Sequence, residues 1–449
     1  MIDWITLASV LAPVPVEADP ILVRQKSRDF HWYSPVLKES LRGVTGNLVV
    51  SPRTEAEVVE VLRQCHAAHA PVTARGAGTG NYGQAMPLQG GVVLDLMSLD
   101  SVGMPEQGVL RVGAGARLQE IERSCRPHGW ELRMFPSTRR TATIGGFVAG
   151  GSGGVGSINH GLLRDPGNLL SARVVTMEPE PRVLELHGAD VNQVHHAYGT
   201  NGIITELRLA MARTHDWIDY VVEFPVFSDL AHFTERVAVS DGIVKRLCTC
   251  VDAATAAYFR PLADALTPGC AVGLFLIGAE SIEPFEAMLH AHRGRFARRL
   301  TEAEVERDGA VPAFEFTWNH TTLQALKVDR TITYLQVRFP SHEPLARVAE
   351  FAAAYGDELP MHLEYVRAGG EVACMALPLL RYTTEARLRE IIAHLESRGC
   401  AVFDPHTYIL EDGGMKETDP DQLAFKRAAD PQGLLNPGKM RSWDAAAAA

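Results

Sequence analysis

The sequence predicts an α+β protein of two domains, and three observations carry the prediction. Its 449 residues exceed what one ordinary hydrophobic core organises and suffice for two, each able to bury a sizeable interior. The first half alternates helical and strand patterns and carries three glycine clusters. Beyond residue 214 the glycines thin out, and apolar strands at 220–224, 272–277, 331–339 and 372–377 alternate with helices at 284–300 and 385–398. The boundary falls near 214, giving one domain over 1–213 and a second over 214–420.

In the first half, Leu48, Val49 and Val50 form a short apolar strand. Thr54 followed by Glu57 has the form of a capping box, so a helix begins there. Val58, Val61, Leu62 and Cys65 fall at the i, i+3, i+4, i+7 positions of one buried face, and Pro71 requires that helix to end by Ala70. Residues 71–75, 92–96 and 109–112 read as strands, and 118–125 as a short amphipathic helix closed by Pro127 and Gly129. Residues 141–167 are Gly-rich without sustained periodicity. A hairpin follows, 172–177 and 182–187, turning at Glu178-Pro179-Glu180-Pro181, and 202–210 is one more strand. The alanine tail, 445–449, is expected to fray.

Composition excludes several function classes. A formal charge of −11 argues against a nucleic-acid surface, which needs a basic face, but leaves room for a locally basic pocket and an anionic small molecule. Seven cysteines occur without a C-x-x-C pair, so neither a zinc knuckle nor a cysteine-ligated iron–sulfur site is written here. Cys248 and Cys250 read as alternate residues of one strand, and free thiols suit a reducing compartment. The first twenty residues carry Asp3, Pro13 and Pro15 and lack a basic n-region, making a poor signal peptide, and no stretch approaches the roughly 20 apolar residues of a membrane span. The expected location is the cytoplasm.

The glycine clusters carry the chemistry. The first is Arg75, Gly76, Ala77, Gly78, Thr79, Gly80 and Asn81; the second is Gly113-Ala114-Gly115; the third runs from Gly145-Gly146 through Gly150 to Gly156. Gly151, Gly153 and Gly156 spell G-x-G-x-x-G, but a Rossmann fingerprint needs that motif between a strand and a helix. Residues 157–168, with Gly161, Pro166 and Gly167, are not expected to form that helix. The Gly113 cluster has Leu118 where a third glycine should stand. Glycine loops away from a helix terminus still bind phosphate, because residues without Cβ let successive backbone N–H groups turn inward as an anion nest. Two such loops could enclose a pyrophosphate from both sides.

Taken in order, Pro71-Val72-Thr73-Ala74-Arg75-Gly76-Ala77-Gly78-Thr79, Gly90-Gly91-Val92-Val93-Leu94-Asp95-Leu96, Pro136-Ser137-Thr138, Ala142-Thr143-Ile144-Gly145-Gly146 and Gly202-Ile203-Ile204-Thr205-Glu206 resemble the FAD-binding domain of the vanillyl-alcohol oxidase and p-cresol methylhydroxylase (PCMH) superfamily. The resemblance spans 43–213. Asp430-Pro431-Gln432-Gly433-Leu434-Leu435-Asn436-Pro437-Gly438-Lys439 is similar to the C-terminal signature of the glycolate and D-lactate dehydrogenase branch.

The resemblance implies a two-domain flavoprotein, a PCMH-type FAD-binding domain under an α+β substrate cap, with residues 421–449 returning to the FAD domain. It places the pyrophosphate on the loop from Arg75 to Asn81. Pro136, Ser137 and Thr138 would belong to the cofactor wall, and Thr143, Ile144, Gly145 and Gly146, with Gly153, Gly154 and Ser157, would line the ribityl and isoalloxazine portions. Gly202, Ile203 and Ile204 would meet the adenine end through the main chain, and Asn436 would close the site. Some relatives attach the flavin to a histidine in the first loop; Thr79 stands at that place, so non-covalent FAD is expected.

Oxidation of a hydroxyl carbon needs a group to take the hydroxyl proton and a cation to hold any carboxylate. Strand alternation over 331–339 puts Leu335, Val337 and Phe339 on one face and Tyr334, Gln336 and Arg338 on the other, a pattern that suits a carboxylate-binding wall and equally a half-exposed sheet face. His320, in Trp318-Asn319-His320-Thr321-Thr322, and His406, in Asp404-Pro405-His406-Thr407-Tyr408, each stand among polar residues beside an aromatic. By resemblance His406 accepts the proton, while Arg338, which stays charged, is expected to orient the anion, with His320 and Tyr334 as further candidates. The chain departs from those relatives, which carry Glu-His-Gly where it has Pro405-His406-Thr407 and a second, glycine-rich histidine motif that has no match here, so no metal site is expected. Glu411-Asp412-Gly413-Gly414 reads as a turn. The expected activity is oxidation of a 2-hydroxy acid with electrons passing to oxygen or another carrier. Oxidation of an alcohol, phenol or sugar, nicotinamide-driven reduction, and a flavin-binding subunit dependent on a partner remain as alternatives.

Overall fold

The computed structural model describes residues 2–413 and 419–443. Gly414 of the expected turn and the alanine tail lie outside the described residues.

Thr54 Oγ1 accepts from the Glu57 N–H at 3.2 Å and starts the helix Glu55–Ala67, whose Val58, Val61, Leu62 and Cys65 are fully buried. That helix covers a four-stranded sheet in the order Val16–Glu17, Leu48–Val50, Val92–Asp95, Val72–Arg75, its last three strands parallel. Strands buried on both faces read as continuous apolar runs, which is how 48–50 and 92–94 stand in the sequence. Residues 434–436 join the free edge of this sheet: Val72 N donates to Leu434 O and Asn436 N donates to Val72 O, both at 2.8 Å. An antiparallel sheet follows in the order Val109–Gly113, Ile203–Arg213, Leu169–Val175, Val183–His187, with Trp130–Leu132 also on the long strand Ile203–Arg213.

The second half builds an eight-stranded antiparallel sheet in the order Arg295–Thr301, Trp217–Phe224, Ala271–Gly278, Lys245–Val251, His362–Ala368, Glu371–Ala376, Val337–Arg338, Ala401–Val402. Cys248 and Cys250 are buried free thiols on one strand of it. One apolar cluster runs without a break from Leu110 and Leu207 of the first half to Val251, Leu274 and Phe316 of the second. Arg246 crosses the same junction to Glu122 Oε1 (2.9 Å) and Leu132 O (2.6 Å), a buried cation held by a carboxylate and a carbonyl.

Three expectations are corrected. The run 331–339 is not one strand. Ile332–Tyr334 pairs with Leu379–Arg381 in a separate two-stranded sheet, Leu335 N turns to Pro378 O, and only Val337–Arg338 joins the large sheet. The helix expected over 284–300 is the helix Ile282–Ala291 followed by the strand Arg295–Thr301; Arg293 at φ 61° and the Gly294 N–H closing on Leu289 O end the helix. Within 141–167, Thr143 caps a helix, Ile144–Gly150, and Ser157–His160 forms a single turn ended by Gly161. That turn follows a helix and an extended loop rather than a strand, so the G-x-G-x-x-G spacing still lacks its Rossmann setting.

Candidate functional site

The first glycine loop leaves the end of the strand Val72–Arg75 with its carbonyls drawn to one side. Arg75 Nε donates to Gly76 O at 3.2 Å and Nη2 to Ala77 O at 3.0 Å, while Phe30 N takes Gly80 O at 2.7 Å. The same guanidinium is anchored on Arg28 O (2.8 Å) and Lys26 O. The backbone N–H groups of Gly76, Ala77, Gly78, Thr79 and Gly80 donate to no protein acceptor among the described residues. Carbonyls tied back and N–H groups left free make a nest for an anion. Gly78, at φ 69° with a Cβ position 2.1 Å from Arg75 Nη2, cannot be another residue without moving that brace.

Facing this loop, Thr143 Oγ1 accepts from Gly146 N at 3.2 Å and turns the helix Ile144–Gly150 toward the cavity. The last carbonyls of that helix are taken by the following loop: His196 N donates to Val148 O and Tyr198 N to Ala149 O, both at 2.9 Å. His196 and Tyr198 hold φ of 50° and 52°, left-handed backbone that side chains other than glycine rarely adopt. His196 Nδ1 meets Ser152 Oγ at 2.8 Å and His195 Nε2 meets Gly151 O at 3.2 Å; burial pushes the His195 imidazole down to about 3 and that of His196 to about 4. The helix Pro420–Ala429 secures this loop from outside, Gln422 Nε2 donating to Asn192 O and His195 O, and Lys426 Nζ to Thr200 O and Asp430.

These elements and the large sheet enclose one cavity of about 440 Å³. Arg75, Arg164 and Arg338 line it, and no Asp or Glu does among the described residues. In a chain of net charge −11, that is a local reversal of sign suited to an anionic guest. The free N–H nest, the arginines and the cleft between loops 76–80 and 143–153 fit FAD, whose pyrophosphate the nest would hold.

Of the expected cofactor residues, Arg75, Gly76, Ala77, Gly78, Thr79, Gly80, Asn81, Pro136, Ser137, Thr138, Thr143, Gly145, Gly146, Gly153, Gly202, Ile203 and Ile204 line this cavity. Four stand behind its wall. Ile144 is a core side chain; Gly154 presses on Phe135 O and gives its N–H to Ser157 Oγ at 3.0 Å, which keeps both out of the lining. Asn436 is fully buried and works as a brace, its Nδ2 donating to Gln84 O at 2.8 Å and Tyr198 O at 2.7 Å. The wall residues that sequence reasoning missed include Phe30, Tyr33, Tyr82, Gln84, Arg164, the stretch 194–199 and Asn201, which lay outside the three glycine clusters.

On the cap side, Trp318, Asn319, His320, Gln336 and Arg338 line the cavity over an apolar floor of Val366, Met375, Leu377 and Phe403. Trp318 precedes the helix Asn319–Leu326 at φ 51°, ψ −140°, a conformation held by its N–H on Glu364 Oε1 at 2.7 Å. His320 Nδ1 lies 2.7 Å from Glu315 Oε2, in a geometry too bent to count as a hydrogen bond, and its Nε2 makes none among the described residues. Arg338 has no ion pair or hydrogen bond among the described residues. His406 is placed otherwise than expected. It is buried outside the cavity lining, Nδ1 on Ser34 Oγ at 2.8 Å and Nε2 on Tyr334 O at 3.0 Å, and burial lowers it to about 4. Tyr334 is likewise buried behind the wall, its hydroxyl accepting from Asn81 Nδ2 at 2.7 Å.

The comparisons with known proteins agree with this geometry. A family model described as FAD binding domain matches residues 47–185. The glycolate oxidase subunit GlcD of Escherichia coli (strain K12) is 36% identical over 143 residues, 30% of this chain and 28% of that protein. A D-lactate dehydrogenase of Archaeoglobus fulgidus is 26% identical over 208 residues, 44% of this chain and 46% of its own length. These alignments thus span about a quarter to a half of the curated relatives. The structure of alkyldihydroxyacetonephosphate synthase superposes with a TM-score of 0.73 at 14% identity, over 97% of this chain and 85% of that one, which shows a shared fold. Under its large antiparallel sheet the chain therefore carries a FAD-binding domain of the PCMH type, and it is a homologue of the glycolate oxidase subunit GlcD and D-lactate dehydrogenase.

Proposed function

We propose that the protein oxidises the hydroxyl-bearing carbon of a small 2-hydroxy acid. The observation that carries this reading is the cavity of three arginines without a carboxylate, one of which, Arg338, makes no ion pair or hydrogen bond among the described residues and stands on the cap side of a lining that also includes His320. Bound FAD, held without a covalent link because Thr79 stands in the first loop, supplies the hydride acceptor. Arg338 holds the substrate carboxylate, since a guanidinium stays charged and grips an anion with paired donors. His320 takes the hydroxyl proton on its free Nε2, with the Glu315 carboxylate 2.7 Å from Nδ1. The apolar floor of Val366, Met375, Leu377 and Phe403 keeps water from the reacting carbon and favours a short side chain.

The test is anaerobic mixing of the holoprotein with 2-hydroxy acids, neutral alcohols, phenols and sugars while the flavin absorbance is followed. Bleaching by hydroxy acids and not by their neutral counterparts is the expected result. Equal bleaching by the neutral alcohols would remove the role given to Arg338.

A further inference from the structure

Tyr82 belongs to the FAD-binding half, two residues beyond Gly80, yet its hydroxyl ends on the cap: it donates to Gln336 Oε1 at 2.5 Å. Gln336 lies between the strands Ile332–Tyr334 and Val337–Arg338, two residues before Arg338, so both side chains leave the same face and both line the cavity while Val337 between them is fully buried. A primary amide has one accepting oxygen and one donating nitrogen, and fixing one end fixes the other. Gln336 Nε2 has no protein partner among the described residues and is not sealed from the cavity. Neighbouring contacts hold Tyr82 in place: its N–H donates to Gln84 Oε1 at 3.0 Å, and the adjacent Asn81 donates to Tyr334 OH at 2.7 Å. Two successive residues at the end of the first glycine loop, Asn81 and Tyr82, thus grip two residues of the cap strand region.

We infer that Tyr82 is a positioning residue that sets substrate specificity: by occupying Gln336 Oε1 it leaves the Nε2 hydrogens facing the cavity, where with the Arg338 guanidinium they grip the carboxylate of the substrate. Gln336 Nε2 and the Arg338 guanidinium then present donors side by side, which the two oxygens of a carboxylate satisfy together and a single alcohol or ketone oxygen does not. Were the amide reversed, its oxygen would repel the same anion. The inference rests on the proposed oxidation of a 2-hydroxy acid only for which anion the wall holds.

The experiment uses the FAD-loaded full chain, its Tyr82→Phe variant and its Gln336→Glu variant, each first checked for full flavin occupancy. Butyrate, which carries the carboxylate and no hydroxyl to oxidise, is titrated against the flavin spectrum. Tyr82→Phe should weaken butyrate binding about 5-fold, the effect of freeing an amide that one hydrogen bond had oriented. Gln336→Glu, whose carboxylate still accepts from Tyr82 but presents an anion to the cavity, should weaken it more than about 10-fold. With racemic 2-hydroxybutyrate as reductant, the Tyr82→Phe effect should fall on the substrate concentration needed and not on the limiting rate of bleaching. Equal butyrate affinity in all three proteins, tighter binding by Gln336→Glu, or no binding by the unaltered protein would overturn the inference. Butyrate binding that follows the expected order while 2-hydroxybutyrate leaves the flavin oxidised retires the reaction and leaves the wall standing.

Discussion

A Cβ placed on Gly76 would lie 2.0 Å from Thr143 Oγ1, so the first glycine loop and the cap of the facing helix touch with no room for a methyl group. Thr143 cannot swing aside freely, because it is β-branched and its hydroxyl accepts the Gly146 N–H. Gly76→Ala should therefore part the two loops that flank the pyrophosphate site, lowering stability by about 1–3 kcal/mol and FAD occupancy with it. Flavin content per chain after purification, together with the melting temperature, checks this; a fully loaded, equally stable variant would show the loops to be slack.

Precipitating the holoprotein with acid should leave intact FAD in the supernatant. The first loop offers Thr79 and no histidine, and a threonine hydroxyl forms no such tether. Yellow colour in the pellet would locate an attachment elsewhere, and the first residue to substitute would be His196, the imidazole on the cavity wall at a left-handed backbone position.

Asn436→Ala removes two hydrogen bonds at once, leaving Gln84 O and Tyr198 O without the donor that ties loop 80–84 to loop 194–201. Unsatisfied buried acceptors cost about 1–3 kcal/mol each. FAD affinity measured on the apoprotein should fall although every cavity-lining residue is retained, and deletion of 430–449 should weaken it further. Unchanged affinity in the point variant would make the brace incidental.

The glycine-loop half was legible because its signals are local. A cap at Thr54, a proline at Pro71 and the period of Val58, Val61, Leu62 and Cys65 each act within a few residues, and they placed the helix and strands that present loop 75–81. The helix Ile144–Gly150 was not legible, since three of its seven residues are glycine and its last carbonyls are taken by His196 and Tyr198, far along the chain. Alternation over 331–339 set Gln336 and Arg338 on one face, as found, but placed Tyr334 with them; the break at Leu335 comes from its bond to Pro378 O, a tertiary partner that no local pattern announces. His406 looked chemical for the same reason: whether both its nitrogens are already taken depends on Ser34, 372 residues away.

Acid should weaken the fold well above the range where most carboxylates titrate. His160, His196 and His406 are lowered to about 4 and His195 to about 3, each chiefly by burial. The folded protein keeps them neutral while the unfolded chain protonates near pH 6.5, so from there down to about 4 the unfolded state holds more protons and stability drops as pH falls. Each histidine contributes at most about 1.4 kcal/mol per pH unit. Glu131, Glu302, Asp219 and Asp252, raised by burial, act in the opposite sense. Melting temperatures between pH 7.5 and 5 should decline, and His406→Gln should make the decline shallower; an identical slope in the variant would show His406 already charged in the fold.

The two histidines nominated by sequence should separate in flavin reduction. A general base must reach the substrate proton with a free ring nitrogen. His320 has one, Nε2, on the cavity wall with Glu315 at its other nitrogen, whereas His406 has both nitrogens engaged by Ser34 and Tyr334 O and sits behind Tyr334. His320→Asn should slow anaerobic flavin reduction by a 2-hydroxy acid by about 10²–10⁴-fold with FAD still bound, the usual effect of losing an acid–base group. Glu315→Gln should slow it less, because it alters the neighbour of Nδ1 without removing the imidazole. His406→Asn should chiefly lower stability, since its loss strands the Ser34 hydroxyl and the Tyr334 carbonyl. Stopped-flow reduction of the three variants, each at matched flavin content, decides the matter: slow reduction in His406→Asn and normal reduction in His320→Asn would return the proton to His406 and require Tyr334 to move aside during the reaction.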